Sequence, residues 1–202
     1  MRSEEKDTPQ ILRRTVLASA TLVPVAALTA TAQARATALS SAHRQILDAF
    51  VDRLLPTDDL GPGALEMGAA QYIDLALADA LAAEKGAFTD GLAATDAFSR
   101  KQFDAPFHLL SEEKKDGVLT ALESGQVPDF PNARAFFARV RRLTLEGMFG
   151  DSYYGGNRNF AGWDLIRYPG PRLAVAAEDQ KMSAAPKPLR QSAYGTKFEH
   201  GH

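Results

Sequence analysis

The sequence predicts an all-α protein, an irregular bundle of about five helices closed by a glycine- and aromatic-rich C-terminal loop and an extended tail. Apolar residues recur at helical spacing along much of the chain. No run of strand-like alternation breaks that pattern, and Ser, Pro and Gly stand where helices would begin and end. At 202 residues the chain is long enough to bury a core of its own.

The first helix is expected from Ser40 or Ser41, either of which can cap it, with Ile46, Leu47, Phe50, Val51, Leu54 and Leu55 on one face and Pro56 as its stop. The stretch "PTDDLGPGA" then reads as a turn. A second helix is expected from about Ala64 to Ala83, burying Leu65, Tyr72, Ile73, Leu77 and Leu81. A third, roughly Ala87 to Gln102, has a thin apolar face and is interrupted by Gly91. The fourth opens at Ser111 with Glu112 and Glu113 in its first turn, carries Val118, Leu119 and Leu122, and ends before Gly125. The fifth begins near Pro131 and sets Phe136, Phe137, Val140, Leu143 and Phe149 on a broad apolar surface, with Arg139, Arg141 and Arg142 mostly outside it.

Composition narrows the function classes. Hydrophobic residues make up 45% and charged residues 24%, with 23 basic against 25 acidic side chains, a poor start for binding nucleic acid. The chain has no cysteine, which excludes disulfides, thiolate zinc sites, iron–sulfur clusters and covalently attached haem c on it. The segment "GPGALEMG" has the first two glycines of a dinucleotide fingerprint at Gly61 and Gly63. Glu66 takes the third position and no strand precedes it, so neither FAD nor NAD is expected here. His43, Asp48 and Asp52 are close enough in sequence to suggest a metal or acid–base site, but Arg44 and Asp48 at i and i+4 pair more simply, with Arg53 adding charge. His108 is isolated beside Phe107. Glu199, His200 and His202 offer ligands only at a chain end.

The N-terminus reads as a leader. Thr15 to Ala34 runs without a charge, ends "ATAQA", and predicts a cut after Ala34. Arg13 and Arg14 directly before Thr15, Val16 and Leu17 resemble a twin-arginine export signal, the general secretory route being the alternative. The expected organisation is therefore a signal peptide over 1–34, a helical domain over 35–183 and an extended or disordered tail over 184–202, in a protein sent outside the cytoplasm.

The segment Gly147–Arg172, "GMFGDSYYGGNRNFAGWDLIRYPGPR", stands apart from this alanine-rich helical background. Gly155 and Gly156 permit sharp bends, and Asn157 and Asn159 tolerate left-handed backbone. Tyr153, Tyr154, Phe160 and Trp163 bring large apolar faces, and Arg158 and Arg167 bring planar donor forks, a mixture suited to a protein interface. An internal clasp packing Trp163 and Tyr168 onto the bundle is the alternative.

Two stretches carry a family resemblance. "ILDAFVDRLLPTDDLGPGALEMGAAQYIDLAL" and "GMFGDSYYGGNRNFAGWDLIRYPGP" resemble the N-terminal segment and C-terminal signature of the gluconate 2-dehydrogenase subunit 3 family. The second is matched through Tyr154 to Asn157, Gly162 with Trp163, and Tyr168 to Gly170. The resemblance implies the small gamma subunit of a membrane-associated bacterial dehydrogenase that acts on sugars, sugar acids or polyols. Its implied partners are a glucose-methanol-choline-type flavoprotein holding FAD and a multihaem cytochrome c, with no cofactor, metal or catalytic residue on this chain. Tyr153, Tyr154, Gly155, Gly156, Asn157, Arg158, Trp163 and Tyr168 are then the expected partner interface. Two other roles remain open: a subunit that shapes specificity by lending Tyr154, Asn157 or Arg158 to the substrate site, and a free-standing exported helical binding protein.

Overall fold

The computed structural model describes residues 37–172 and 187–195, with 174, 177, 180 and 181; the leader and its Arg13–Arg14 pair, and the terminal Glu199, His200 and His202, lie outside the described residues. All described residues belong to one compact unit. It is all-α: among them are six helices and no sheet.

Helix α1, Ser41–Leu54, starts where the serine pair predicts. Ser40 is the cap, its hydroxyl accepting the His43 amide at 3.2 Å. The following turn folds back on the end of this helix, with the Ala64 amide donating to the Leu55 carbonyl at 2.8 Å and the Gly63 amide to the Thr57 hydroxyl at 2.9 Å. Helix α2 is Ala69–Ala78, shorter than expected at both ends. Residues 64–68 form a turn instead, because the Met67 carbonyl accepts the Arg158 amide at 3.0 Å and the Arg158 stem lies over Gly68. A short 3₁₀ turn, Ala82–Glu84, replaces the expected final helical turn.

Helix α3, Lys85–Phe103, is longer than the sequence suggests. Gly91 does not interrupt it: the space that a side chain would take there is filled by the Phe136 ring from another helix. Helix α4, Glu112–Ser124, ends on Gly125 in the left-handed conformation, whose amide reaches the Ala121 and Leu122 carbonyls. Helix α5, Ala133–Phe149, is the spine of the bundle, packing chiefly on α2 and α4. The core centres on Phe50, fully buried, with ring centroids 6.2, 6.1 and 6.0 Å from Phe107, Phe136 and Phe137. Helix α6, Ala161–Leu165, is a single short helix within the segment read from sequence as loop.

Polar ties lock the elements together. Asp74, 3% exposed on α2, accepts the Ala38 and Leu39 amides at 2.7 and 2.9 Å and so fixes the approach to α1. Arg53 lies within electrostatic reach of Asp52 but makes its hydrogen bonds elsewhere. It grips Asp116 in a two-pronged bond at 2.9 and 2.6 Å and reaches Glu112 at 3.0 Å, joining α1 to α4. That bond raises the Arg53 pKa and holds the Asp116 carboxyl below its ordinary value.

Candidate functional site

The glycine–aromatic segment is folded onto the end of α5 by one residue above all. Asn157 is fully buried and left-handed at φ 43°. Its side-chain amide donates to the Gly150 carbonyl at 2.8 Å, its side-chain oxygen accepts the Gly162 amide at 2.9 Å, and its own amide donates to the Gly147 carbonyl at 2.7 Å. Every polar group of this buried side chain thus has a partner, the condition for a buried amide to stabilise rather than cost. The glycines follow from the same closeness. A β-carbon on Gly156 would strike the Gly147 carbonyl, and one on Gly162 would strike the Met148 carbonyl.

Trp163, 5% exposed, completes the attachment, its indole N–H donating to the Phe149 carbonyl at 2.9 Å. Phe160 and Tyr168 cover it on two sides, with centroids 5.1 and 5.0 Å from its ring. Arg158 is exposed but anchored, its guanidinium donating to Gln71 at 2.6 Å.

The eight residues expected at a partner interface therefore divide. Gly155, Gly156, Asn157 and Trp163 are buried and hold the segment's shape; Tyr154, Arg158 and Tyr168 are exposed, and Tyr153 is half-buried. Of the three residues considered as substrate contacts, Asn157 is enclosed with both ends of its amide used, which leaves Tyr154 and Arg158 at the surface.

Large exposed apolar side chains concentrate here. Apart from Leu109 and Leu145, those among the described residues are Tyr154, Leu165, Ile166, Tyr168, Leu189, Tyr194 and Leu60. Leu60 stands next to Gly61, over which Leu165 lies. Ile166 is 53% exposed immediately beyond the one-turn helix that buries Trp163. Clustering of this kind marks a contact site more strongly than scattered exposure does.

A second polar cluster borders the segment. The Tyr72 hydroxyl donates to Glu146 at 3.1 Å, and Arg142 donates to the same carboxylate at 2.8 Å. Burial, with the Glu146 charge beside it, pushes the Tyr72 hydroxyl up to about 12. Tyr154 is also held above its ordinary value, first by hydrogen bonding to Tyr194. The "GPG" turn presents no phosphate cradle: the Gly61, Gly63 and Ala64 amides already donate to Asp58, Thr57 and Leu55. Arg44 pairs with Asp48 at 2.6 Å, and no cluster of three or more metal-ligating side chains occurs among the described residues.

Sequence reading missed Asp74, Asp151 and Asp164 as structural anchors. Asp74 was discoverable, as the lone acid inside the apolar helix "AAQYIDLALA". Asp151 has a local role as well, capping the next turn by accepting the Tyr153 amide at 2.9 Å, whereas nothing local distinguishes Asp164 from a surface acid.

The fold and this site define a class: a small helical bundle whose last long helix carries a tightly folded glycine–aromatic segment that displays apolar side chains. Residues 41–170 match the family model of gluconate 2-dehydrogenase subunit 3, and the chain belongs to that family. The match runs from the start of α1 to the glycine that closes the signature segment. By that description the chain is a subunit of an oxidoreductase complex. Comparison with curated proteins and with solved structures finds no match.

Proposed function

We propose that this chain is the non-catalytic small subunit of a periplasmic, FAD-dependent sugar or sugar-acid dehydrogenase, and that it stabilises the flavoprotein and carries it through twin-arginine export. The observation that carries the reading is the concentration of exposed Leu165, Ile166 and Tyr168 on a segment whose buried half is fixed by Asn157 and Trp163. Rigid anchors beneath exposed apolar and aromatic groups lower the entropy lost on docking. Dehydrogenation would take place on the flavoprotein, with electrons passing to a cytochrome c subunit, and the membrane association of the whole would come through the complex.

Co-expression with a glucose-methanol-choline-type flavoprotein and a multihaem cytochrome c from the same genome tests this. Flavin and haem absorption should co-purify with the tagged small subunit and be missing from the small subunit expressed alone. Leu165→Glu with Ile166→Glu should abolish co-purification while leaving Trp163 fluorescence unchanged. A flavoprotein that is exported, folded and fully active in cells lacking this chain would overturn the proposal.

A further inference from the structure

We propose that a cavity between α2, α5 and Tyr154 binds a neutral polyhydroxy compound, a monosaccharide or a linear polyol; the site belongs to this chain alone and does not rest on the reading of its contact face.

Helical spacing builds the cavity. Tyr72, Leu75 and Ala76 recur along one side of α2, with Asp79 just past its end, and Arg139, Arg142 and Glu146 recur likewise on α5. Tyr154 of the signature segment supplies a further wall. The space enclosed is about 280 Å³, near the lower end of the range for small-molecule sites, which begins at about 300 Å³. Part of the lining is plain carbon. Leu75, Ala76, Ala80 and Leu81 give a surface on which the C–H face of a sugar can lie.

The polar part of the lining consists mostly of pairs. Glu146 accepts the Tyr72 hydroxyl at 3.1 Å and the Arg142 Nε–H at 2.8 Å. Arg139 donates through two nitrogens to Glu84, each at 2.8 Å. Asp79, exposed, is the one lining charge outside these pairs. What remains for a ligand is therefore mixed. The terminal nitrogens of Arg142 can donate, the Asp79 carboxylate can accept, and Tyr72, which keeps its proton up to about 12, has a hydroxyl lone pair to spare.

This mixture selects the ligand. A carboxylate or phosphate brought to Arg142 lies beside Glu146, and an ammonium brought to Glu146 lies beside Arg142, so either ion meets a like charge together with its opposite. An anion also only accepts, and an ammonium only donates. Adjacent hydroxyls do both and carry no charge, and hydrogen bonds that they make to ionised partners are the stronger kind.

Isothermal titration calorimetry of the full-length chain tests this, with glucose and sorbitol as neutral probes, gluconate and glucosamine as charged counterparts, and glycine as a zwitterion. A neutral probe should bind with a Kd on the order of 1–10 mM, and the other three at least about tenfold more weakly. Asp79→Ala, a change at an exposed position, should weaken the neutral probe about fivefold, and Arg142→Leu with Glu146→Leu should abolish its binding, both with Trp163 fluorescence unchanged. No heat from either neutral probe at about 100 mM, or an affinity unchanged in either variant, would overturn the proposal. Tighter binding of gluconate, glucosamine or glycine would overturn it as well, by making this a site for ions. All of these outcomes are read without the flavoprotein and leave the contact face untouched. Normal co-purification of the flavoprotein with Leu165→Glu and Ile166→Glu would sink the contact face and leave the cavity standing.

Discussion

At the scale of single residues, the most consequential side chain in the signature segment is one that no partner can touch. Asn157 supplies both ends of its amide to groups enclosed with it, so Asn157→Ala strands the Gly162 amide and the Gly150 carbonyl and removes a residue suited to left-handed backbone. The expected loss is roughly 2–4 kcal/mol in urea unfolding. Asn159 supplies the control, since it is exposed at φ 56° and its replacement by Ala should cost less than about 1.5 kcal/mol. Equal losses would mean that backbone strain, not the buried amide, dominates. Tyr72 gives a residue-scale prediction in pH. Its hydroxyl titrates at about 12 in the folded chain against an ordinary value of 10.0, so the folded state holds the proton more tightly. Its contribution to stability is complete below pH 10.0 and is lost as the pH rises towards about 12. The near-ultraviolet absorbance of tyrosinate should therefore show a late-titrating component that Tyr72→Phe removes, together with a shallower alkaline loss of stability. A parent titration curve without that component would contradict the environment assigned to Tyr72.

Among the elements, α3 shows what the sequence made legible and what it did not. Helices α1, α4 and α5 could be read closely because their signals are local: a serine before the first turn, a glycine after the last, and an apolar face at regular spacing. The start of α2 could not, because it is set by Arg158, far along the chain, crossing Gly68 and bonding Met67. Gly91 looked like an interruption of α3 when its propensity was taken alone, whereas it is the notch that receives Phe136. The buried half of the signature was legible in type, as glycine, asparagine and tryptophan, but not in direction, because exposure depends on which side of the turn meets α5. The contacts that hold residues 187–195 on the segment follow no periodicity at all. Two of the helical glycines turn this into a measurement. Gly117→Ala in α4 meets nothing within 4 Å and should stabilise by about 0.5–1 kcal/mol through helix propensity. Gly91→Ala gains the same propensity but drives a methyl into Phe136, which is hemmed in by Phe50, Phe88 and Phe130, and should lose about 1–3 kcal/mol net. Thermal unfolding of the two variants should therefore shift in opposite directions; a stabilised Gly91→Ala would show that the Phe136 pocket is loose.

For the whole molecule, the proposed contact face draws on residues far apart in sequence: Leu60 after α1 and Leu165 to Tyr168 beyond α5. Such a face exists only after the chain has folded, since Asn157 must reach Gly147 and Gly150, and Arg158 must reach Met67 and Gln71, before those side chains share a surface. A small subunit that recruits a flavoprotein in the cytoplasm must consequently fold there and cross the membrane folded. On the proposed reading the leader is of the twin-arginine type, a route for folded cargo, and Arg13 and Arg14 would then serve the contact face as well as the leader. Replacing both arginines by lysine keeps the charge of the leader and should nevertheless retain the small subunit and the flavoprotein together in the cytoplasm, with periplasmic dehydrogenase activity lost; cell fractionation with immunoblotting of both subunits measures it. Export of the small subunit without the flavoprotein would point to the general secretory route, along which an unfolded chain could not have carried a partner. Normal export of both would remove the twin-arginine pair from the mechanism. Combining the lysine pair with Leu165→Glu and Ile166→Glu then separates address from grip: the surface variant alone should export the small subunit and leave the flavoprotein behind.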